Sequence, residues 1–168
     1  MLDNEINNDP SDALKAAFRR HASGVAIITT KSESGDPVGF TATSMTSLGS
    51  NPALVTFNVA RGSSSWSSLS KATHLALHML GSENLELARK MAEDHTKRFL
   101  GTDWELSEFG LPVFKEVTAV LFVKVREFHS IEQNAVFITE VVSGKLGAND
   151  KALLYNQRSY FTPADNPL

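Results

Sequence analysis

From Gly24 onward the chain is a series of short β-branched and aromatic runs. Each is closed by a turn signal, and few are separated from the next by a helix. Parallel pairing needs a crossover of roughly a dozen residues or more between strands, so this spacing disfavours a doubly wound sheet. Val25-Ala26-Ile27-Ile28-Thr29-Thr30 is the first run and reads as a buried strand. The turn signal Ser34-Gly35-Asp36-Pro37 predicts that residues 38–43 pair back on it as a hairpin. Further strands are expected at 53–59, 74–80, 117–128 and 135–142, with turns or loops at 130–134 and 144–150. Short closing segments follow at 152–155 and 159–161. Within 117–128, Val117, Ala119, Leu121, Val123 and Val125 fall on one face.

Helices are expected only around this β framework. Ser11 stands at an N-cap position, and Leu14, Ala17, Phe18 and His21 follow at helical spacing, with Gly24 as a stop. The Leu14/Phe18 stripe is expected to pack on the body. A turn or two of helix is expected at 66–70, and a longer helix over 84–94 carries Leu87 and Met91 on its inner face. Residues 101–110 read as irregular. The fold class that follows is mainly β with peripheral helices, a small antiparallel barrel.

A chain of 168 residues suits one domain, expected over 11–162, with a flexible arm at 1–10 and a tail at 163–168. The net charge of -3 lacks the basic excess of a nucleic-acid binder. Cysteine is absent, which removes disulfides, thiolate metal sites and cysteine nucleophiles. The first residues are polar and acidic, unlike a signal peptide. The apolar run 119–123 stops at Lys124, far short of a bilayer span. The expectation is a soluble, cytoplasmic protein with no nucleic-acid or membrane partner.

Three clusters offer ligand chemistry. Thr41-Ala42-Thr43-Ser44-Met45-Thr46-Ser47 places five hydroxyls in seven residues, able to hydrogen-bond a polar heterocycle or a phosphate. Arg61-Gly62-Ser63-Ser64-Ser65 combines a glycine, which permits close backbone approach, with three hydroxyls before a helix start, a pattern suited to an anion. Lys97-Arg98-Phe99 sets two cations beside a ring. Ordinary structure accounts for each as well: an edge strand, a solvated loop, a helix C-terminus. His74 and His78 lie about 13 Å apart on a strand and cannot share a metal. No HExxH or GxSxG pattern is present. From these residues alone a binding module remains open and no reaction follows.

Taken in order, the segments Phe18-Arg19-Arg20, residues 23–30, Gly39-Phe40-Thr41 through Leu48, Asn51-Pro52-Ala53, the serine loop, Lys97-Arg98-Phe99-Leu100-Gly101 and Leu153-Leu154-Tyr155 resemble the short-chain flavin reductase family. These are the reductase components of two-component flavin-dependent monooxygenases. The resemblance covers residues 18–161. It implies an FMN-binding split β-barrel of antiparallel, Greek-key type, a homodimer, FMN or FAD near the dimer interface, and NADH or NADPH as co-substrate. Reduced flavin would diffuse to a flavin-dependent oxygenase. Carried over residue by residue, Thr41, Ala42, Thr43, Ser44 and Ser47 would lie along the isoalloxazine and ribityl chain, with Asn58 also at the cofactor. Ser63, Ser64 and Ser65 would take phosphate, and Arg98 and Phe99 would lie beside the cofactor. The chain departs from the family's Gly-Asp-His turn, having Glu132-Gln133-Asn134 instead. Asn134 becomes the candidate at the nicotinamide edge, able to hydrogen-bond but not to titrate. His78 and Asn156, where the family commonly has Asn and His, look like swaps within one polar site. A flavin-binding split-barrel protein with another oxidoreductase or storage activity is the alternative.

Overall fold

The structure is a computed structural model, which describes residues 9–101 and 104–165. Most of the expected N-terminal arm and the end of the tail lie outside those residues. In chain order the elements are α1 (Pro10–Arg19), β1 (Ser23–Gly24), β2 (Ala26–Lys31), β3 (Pro37–Ala42), β4 (Thr46–Ser50), β5 (Ala53–Ala60), α2 (Trp66–Leu69) and β6 (His74–Met79). Then come a 3-10 turn, Ser82–Asn84, running into α3 (Leu85–Ala92), β7 (Trp104–Leu106), β8 (Pro112–Phe114), β9 (Ala119–Ile131), β10 (Asn134–Leu146), β11 (Leu154–Asn156) and β12 (Ser159–Phe161). Among the described residues no helix is long and apolar enough to cross a membrane.

Seven strands form one antiparallel sheet in the order β3-β2-β6-β9-β10-β5-β4. Its two edge strands, β3 and β4, are consecutive in the chain and joined by residues 43–45 alone. Four extended residues reach at most about 14 Å. The sheet must therefore curl until its edges nearly meet, which makes it a split barrel. Register shifts in β10 at Ile138/Thr139 and Val141/Ser143 supply bulges that bend the two longest strands.

The curled sheet has two faces, and both are apolar over β2. Ile28, Phe57, Leu75, Leu77, Val123 and Phe137 fill the inside, with Phe57 and Phe128 stacked on Phe137 at 4.9 and 5.0 Å. Outside, α3 and the β7–β8 hairpin cover β2, β6 and β9, burying Ile27, Ala76, Met91, Phe114 and Phe122. Over β10 and β5 the outer face stays open. Asn58, Ala60 and Asn134 share it and are exposed, because Asn58 pairs with Val136 and Ala60 with Asn134.

Several boundaries differ from expectation. Asp9, not Ser11, caps α1, its carboxylate accepting from the Ser11 N–H at 2.7 Å. The Leu14/Phe18 stripe does not pack on the body: the two side chains are 59% and 64% exposed. The turn expected at 130–134 narrows to Glu132-Gln133, and β10 runs on to Leu146, into the loop expected from residue 144. Long antiparallel strands gain a ladder bond at each added pair, so polar residues such as Ser130 and Lys145 join them despite the broken pattern.

Candidate functional site

The residues that close the split carry the first part of the site. Between β3 and β4, Ser44 Oγ accepts from the Asn58 N–H at 3.0 Å and donates to the Asn58 carbonyl at 3.2 Å. That double bond stitches the connecting segment onto β5. It also sets Thr43, Ser44 and Asn58 along one wall of a groove of about 670 Å³. The opposite wall comes from α1 and the β11–β12 turn. Ser47 stands exposed on β4 opposite Val55. Ala42 is buried, and Thr41 Oγ1 donates to the Ala88 carbonyl of α3 at 2.8 Å.

Arg98 organises the second part. Its Nη1 donates to the Gly39 carbonyl at 2.8 Å and to Ser64 Oγ at 3.5 Å, while Nε and Nη2 both reach the Glu93 carbonyl. One guanidinium thus ties β3, the serine loop and the end of α3 together. Burial lowers its pKa, with the Asp94 carboxylate working against that shift, and a guanidinium keeps its charge regardless. One residue before Ser64, Ser63 Oγ is buried with no hydrogen-bond partner. A buried hydroxyl left unpaired costs about 1–3 kcal/mol, so such an atom calls for an acceptor. Ser65 is almost wholly buried and uses its carbonyl to start α2. Phe99 faces inward. Its ring stacks on Phe114 at 5.9 Å and meets Trp104 edge-on at 5.6 Å, and Trp104 Nε1 donates to the Phe99 carbonyl.

Asn134 reaches this region through Arg61. The Arg61 N–H donates to the Gln133 carbonyl and its Nη1 to the Glu132 carbonyl, both at 2.8 Å. Glu132 adopts a left-handed φ of 51° in that turn. The hairpin tip at 132–134 is thereby pinned two residues before Ser63. The structure thus joins Asn134, the serine loop and Arg98 in sequence around the sheet end, with the Thr43/Ser44/Asn58 wall alongside. Arg61 belongs to the anion-suited cluster read from the sequence, whereas Gly39 is not among the expected site residues. Gly39 was visible as a glycine inside a strand, where a close approach is the usual reason.

One expectation does not survive. His78 and Asn156 do not share a polar site. His78 is buried in β6, with Nδ1 3.1 Å from the Ile27 carbonyl and Nε2 accepting from the Phe114 N–H at 3.3 Å. Asn156 lines the groove. The residue types at the two positions answer to different surroundings.

A split barrel with an unpaired buried hydroxyl, and with a half-buried guanidinium on its edge strand β3, belongs to a class of protein suited to a polar, phosphate-bearing ligand. The chain belongs to the flavin reductase like domain family, whose model matches residues 18–164. It is 35% identical to the NADH:FMN oxidoreductase of Rhodococcus qingshengii, over 89% of this chain and 80% of that protein. It is 30% identical to the reductase component of the flavin-dependent trigonelline monooxygenase of Acinetobacter baylyi, over 90% of this chain but 48% of that protein. The crystal structure of a flavin reductase domain protein from Arthrobacter sp. FB24 superimposes with a TM-score of 0.90 at 44% identity, covering 94% of this chain and 98% of that one.

Proposed function

We propose that the protein is an NAD(P)H:flavin oxidoreductase that holds FMN or FAD and supplies reduced flavin to a partner oxygenase. The observation that carries this reading is the unpartnered, buried Ser63 Oγ in a loop whose next residue, Ser64, accepts from the Arg98 guanidinium. Three donors, one of them charged, suit a phosphate oxygen set. The flavin, when bound, supplies the hydride-accepting ring, and the protein supplies position and electrostatics. Ser63, Ser64 and Arg98 hold its phosphate. Thr43, Ser44 and Asn58 present hydroxyls and an amide along its length. Asn134, on the open face beside Ala60, offers a neutral amide to a nicotinamide carboxamide without changing charge near neutral pH. Relatives named as reductase components of monooxygenases support the oxygenase partner. A homodimer is supported by the open outer face of β5 and β10, where Val136 and Ile138 are only half-buried, and by exposed Leu48, Ile131 and Val142.

The test is anaerobic stopped flow with FMN or FAD and each nicotinamide. Bleaching of the flavin band is expected, and a flavin that binds yet is reduced by neither NADH nor NADPH would overturn the reading. A hydrogen bond to a charged group contributes about 1.5–3 kcal/mol. Ser63→Ala with Ser64→Ala should therefore weaken flavin binding at least about tenfold.

A further inference from the structure

The β9–β10 hairpin turns on Glu132 and Gln133 alone. Glu132 holds φ at 51°, where a Cβ crowds the carbonyl that follows. Two-residue turns give such positions to glycine, asparagine or aspartate, so this tip is strained. One residue from outside the hairpin holds it. The Arg61 N–H donates to the Gln133 carbonyl and Arg61 Nη1 to the Glu132 carbonyl, both at 2.8 Å. The charge on the guanidinium strengthens the second bond.

Arg61 is itself braced. Its guanidinium carbon lies 5.6 Å from the centre of the Trp66 ring. Trp66 meets Phe128 and Phe137 edge-on at 5.7 and 6.3 Å, and Phe137 belongs to the barrel interior. The Ser63 N–H donates to the Ala60 carbonyl at 3.0 Å, which folds residues 60–63 into a tight turn around Arg61. Asn134 follows the strained tip and pairs with Ile131 on one side and Ala60 on the other. A line of contacts therefore runs from the core through Trp66 and Arg61 to the turn that presents Asn134.

We propose that Arg61 is a positioning residue for the nicotinamide substrate. It holds the Glu132-Gln133 turn, and with it Asn134, in fixed register with the serine loop, and acts on the substrate only through them. The role of Asn134 rests on the reductase reading; the clamp on the turn does not. Lysine cannot replace Arg61 here, because an ammonium on a flexible stem lacks the planar fork that bonds a carbonyl while stacking on a ring. Glycine at position 132 removes the strain, and with it the need for the clamp.

The test compares wild type with Arg61→Gln, with Arg61→Lys, and with Arg61→Gln combined with either Glu132→Gly or Glu132→Gln. Arg61 is exposed, so its variants are expected to fold, as circular dichroism will verify. Both single variants should raise the nicotinamide KM roughly tenfold while flavin Kd stays within about twofold of wild type. Amides over 131–135 should exchange with deuterium faster in both. Adding Glu132→Gly should return KM and exchange toward wild-type values, whereas Glu132→Gln removes the same charge without relieving φ and should not. An unchanged KM overturns the proposal. So does a KM kept at the wild-type value by Arg61→Lys or restored by Glu132→Gln, since charge alone would then be the cause. An equal rise in flavin Kd overturns it too, by making Arg61 a flavin ligand. A wild type that reduces no flavin fails the reductase reading and takes the nicotinamide role with it. The exchange arm needs no flavin, and equal exchange in wild type and Arg61→Gln overturns the clamp by itself.

Discussion

His78 shows how much one side chain can hold without touching a ligand. Its two ring nitrogens bridge β2 and β8: Nδ1–H donates to the Ile27 carbonyl, and Nε2 takes the Phe114 N–H. The second bond needs the neutral ring, because a protonated Nε2 cannot accept. Burial pushes its pKa down to about 4, with the Ile27 bond working against that shift. Above the ordinary value near 6.5 the folded and unfolded chains are both neutral here. Between 6.5 and 4 only the unfolded chain takes up the proton, so the folded form loses stability as pH falls, by about 3 kcal/mol at most. Urea midpoints at pH 7 and pH 4.5 should therefore lie further apart in wild type than in His78→Asn. Equal separations would mean that another group carries the acid sensitivity. Asp150 is common to both proteins and cancels in that comparison; its carboxylate is held below its ordinary range chiefly by the Glu83 N–H and the Ser82 hydroxyl. The sequence places His78 on a strand, but nothing in its neighbours reveals that a carbonyl from residue 27 and an amide from residue 114 meet it there. Those partners come from tertiary folding alone. The serine loop was more legible, because adjacent residues supply its hydroxyls.

At the level of elements, β3 shows why a strand carries a glycine. A Cβ at Gly39 would stand 2.9 Å from the Ile28 carbonyl oxygen, 2.9 Å from Met91 Cε and 3.0 Å from Phe99 Cζ. Gly39→Ala must push α3 and Phe99 outward, and its carbonyl is also the anchor of Arg98. Overpacking of this kind costs about 1–3 kcal/mol. A fall of roughly 3–10 °C in melting temperature is expected, together with weaker flavin binding. An unchanged melting curve would show that the helix yields freely. The strands with a buried face were readable because each alternates or runs apolar, as in residues 25–30 and 135–142. Strand β4 was not, since Thr46-Ser47-Leu48-Gly49-Ser50 is exposed throughout and has no face to betray it. β7 and β8 were missed for their length, three residues apiece. The apolar stripe of α1 was legible, but a period of 3.6 says which residues share a face and not what covers that face.

For the molecule as a whole, the open outer face of β5 and β10 sets the expected assembly. Light scattering should give twice the 18.3 kDa of one chain. Ile138→Glu, on that face opposite Thr56 and Glu127, should shift the mass toward the single chain while leaving the inner core untouched. A dimer unaffected by this charge would place the interface elsewhere. The curl of the sheet carries a further consequence. Residues 43–45 are both the clasp that brings the two barrel edges together and part of the proposed flavin wall. Occupancy and closure are therefore one equilibrium seen from two sides. Backbone amides over 43–46, which lean on the single hydroxyl of Ser44, should exchange with deuterium sooner than those of β2. Added flavin should slow that exchange and raise the melting temperature with its concentration, by mass action.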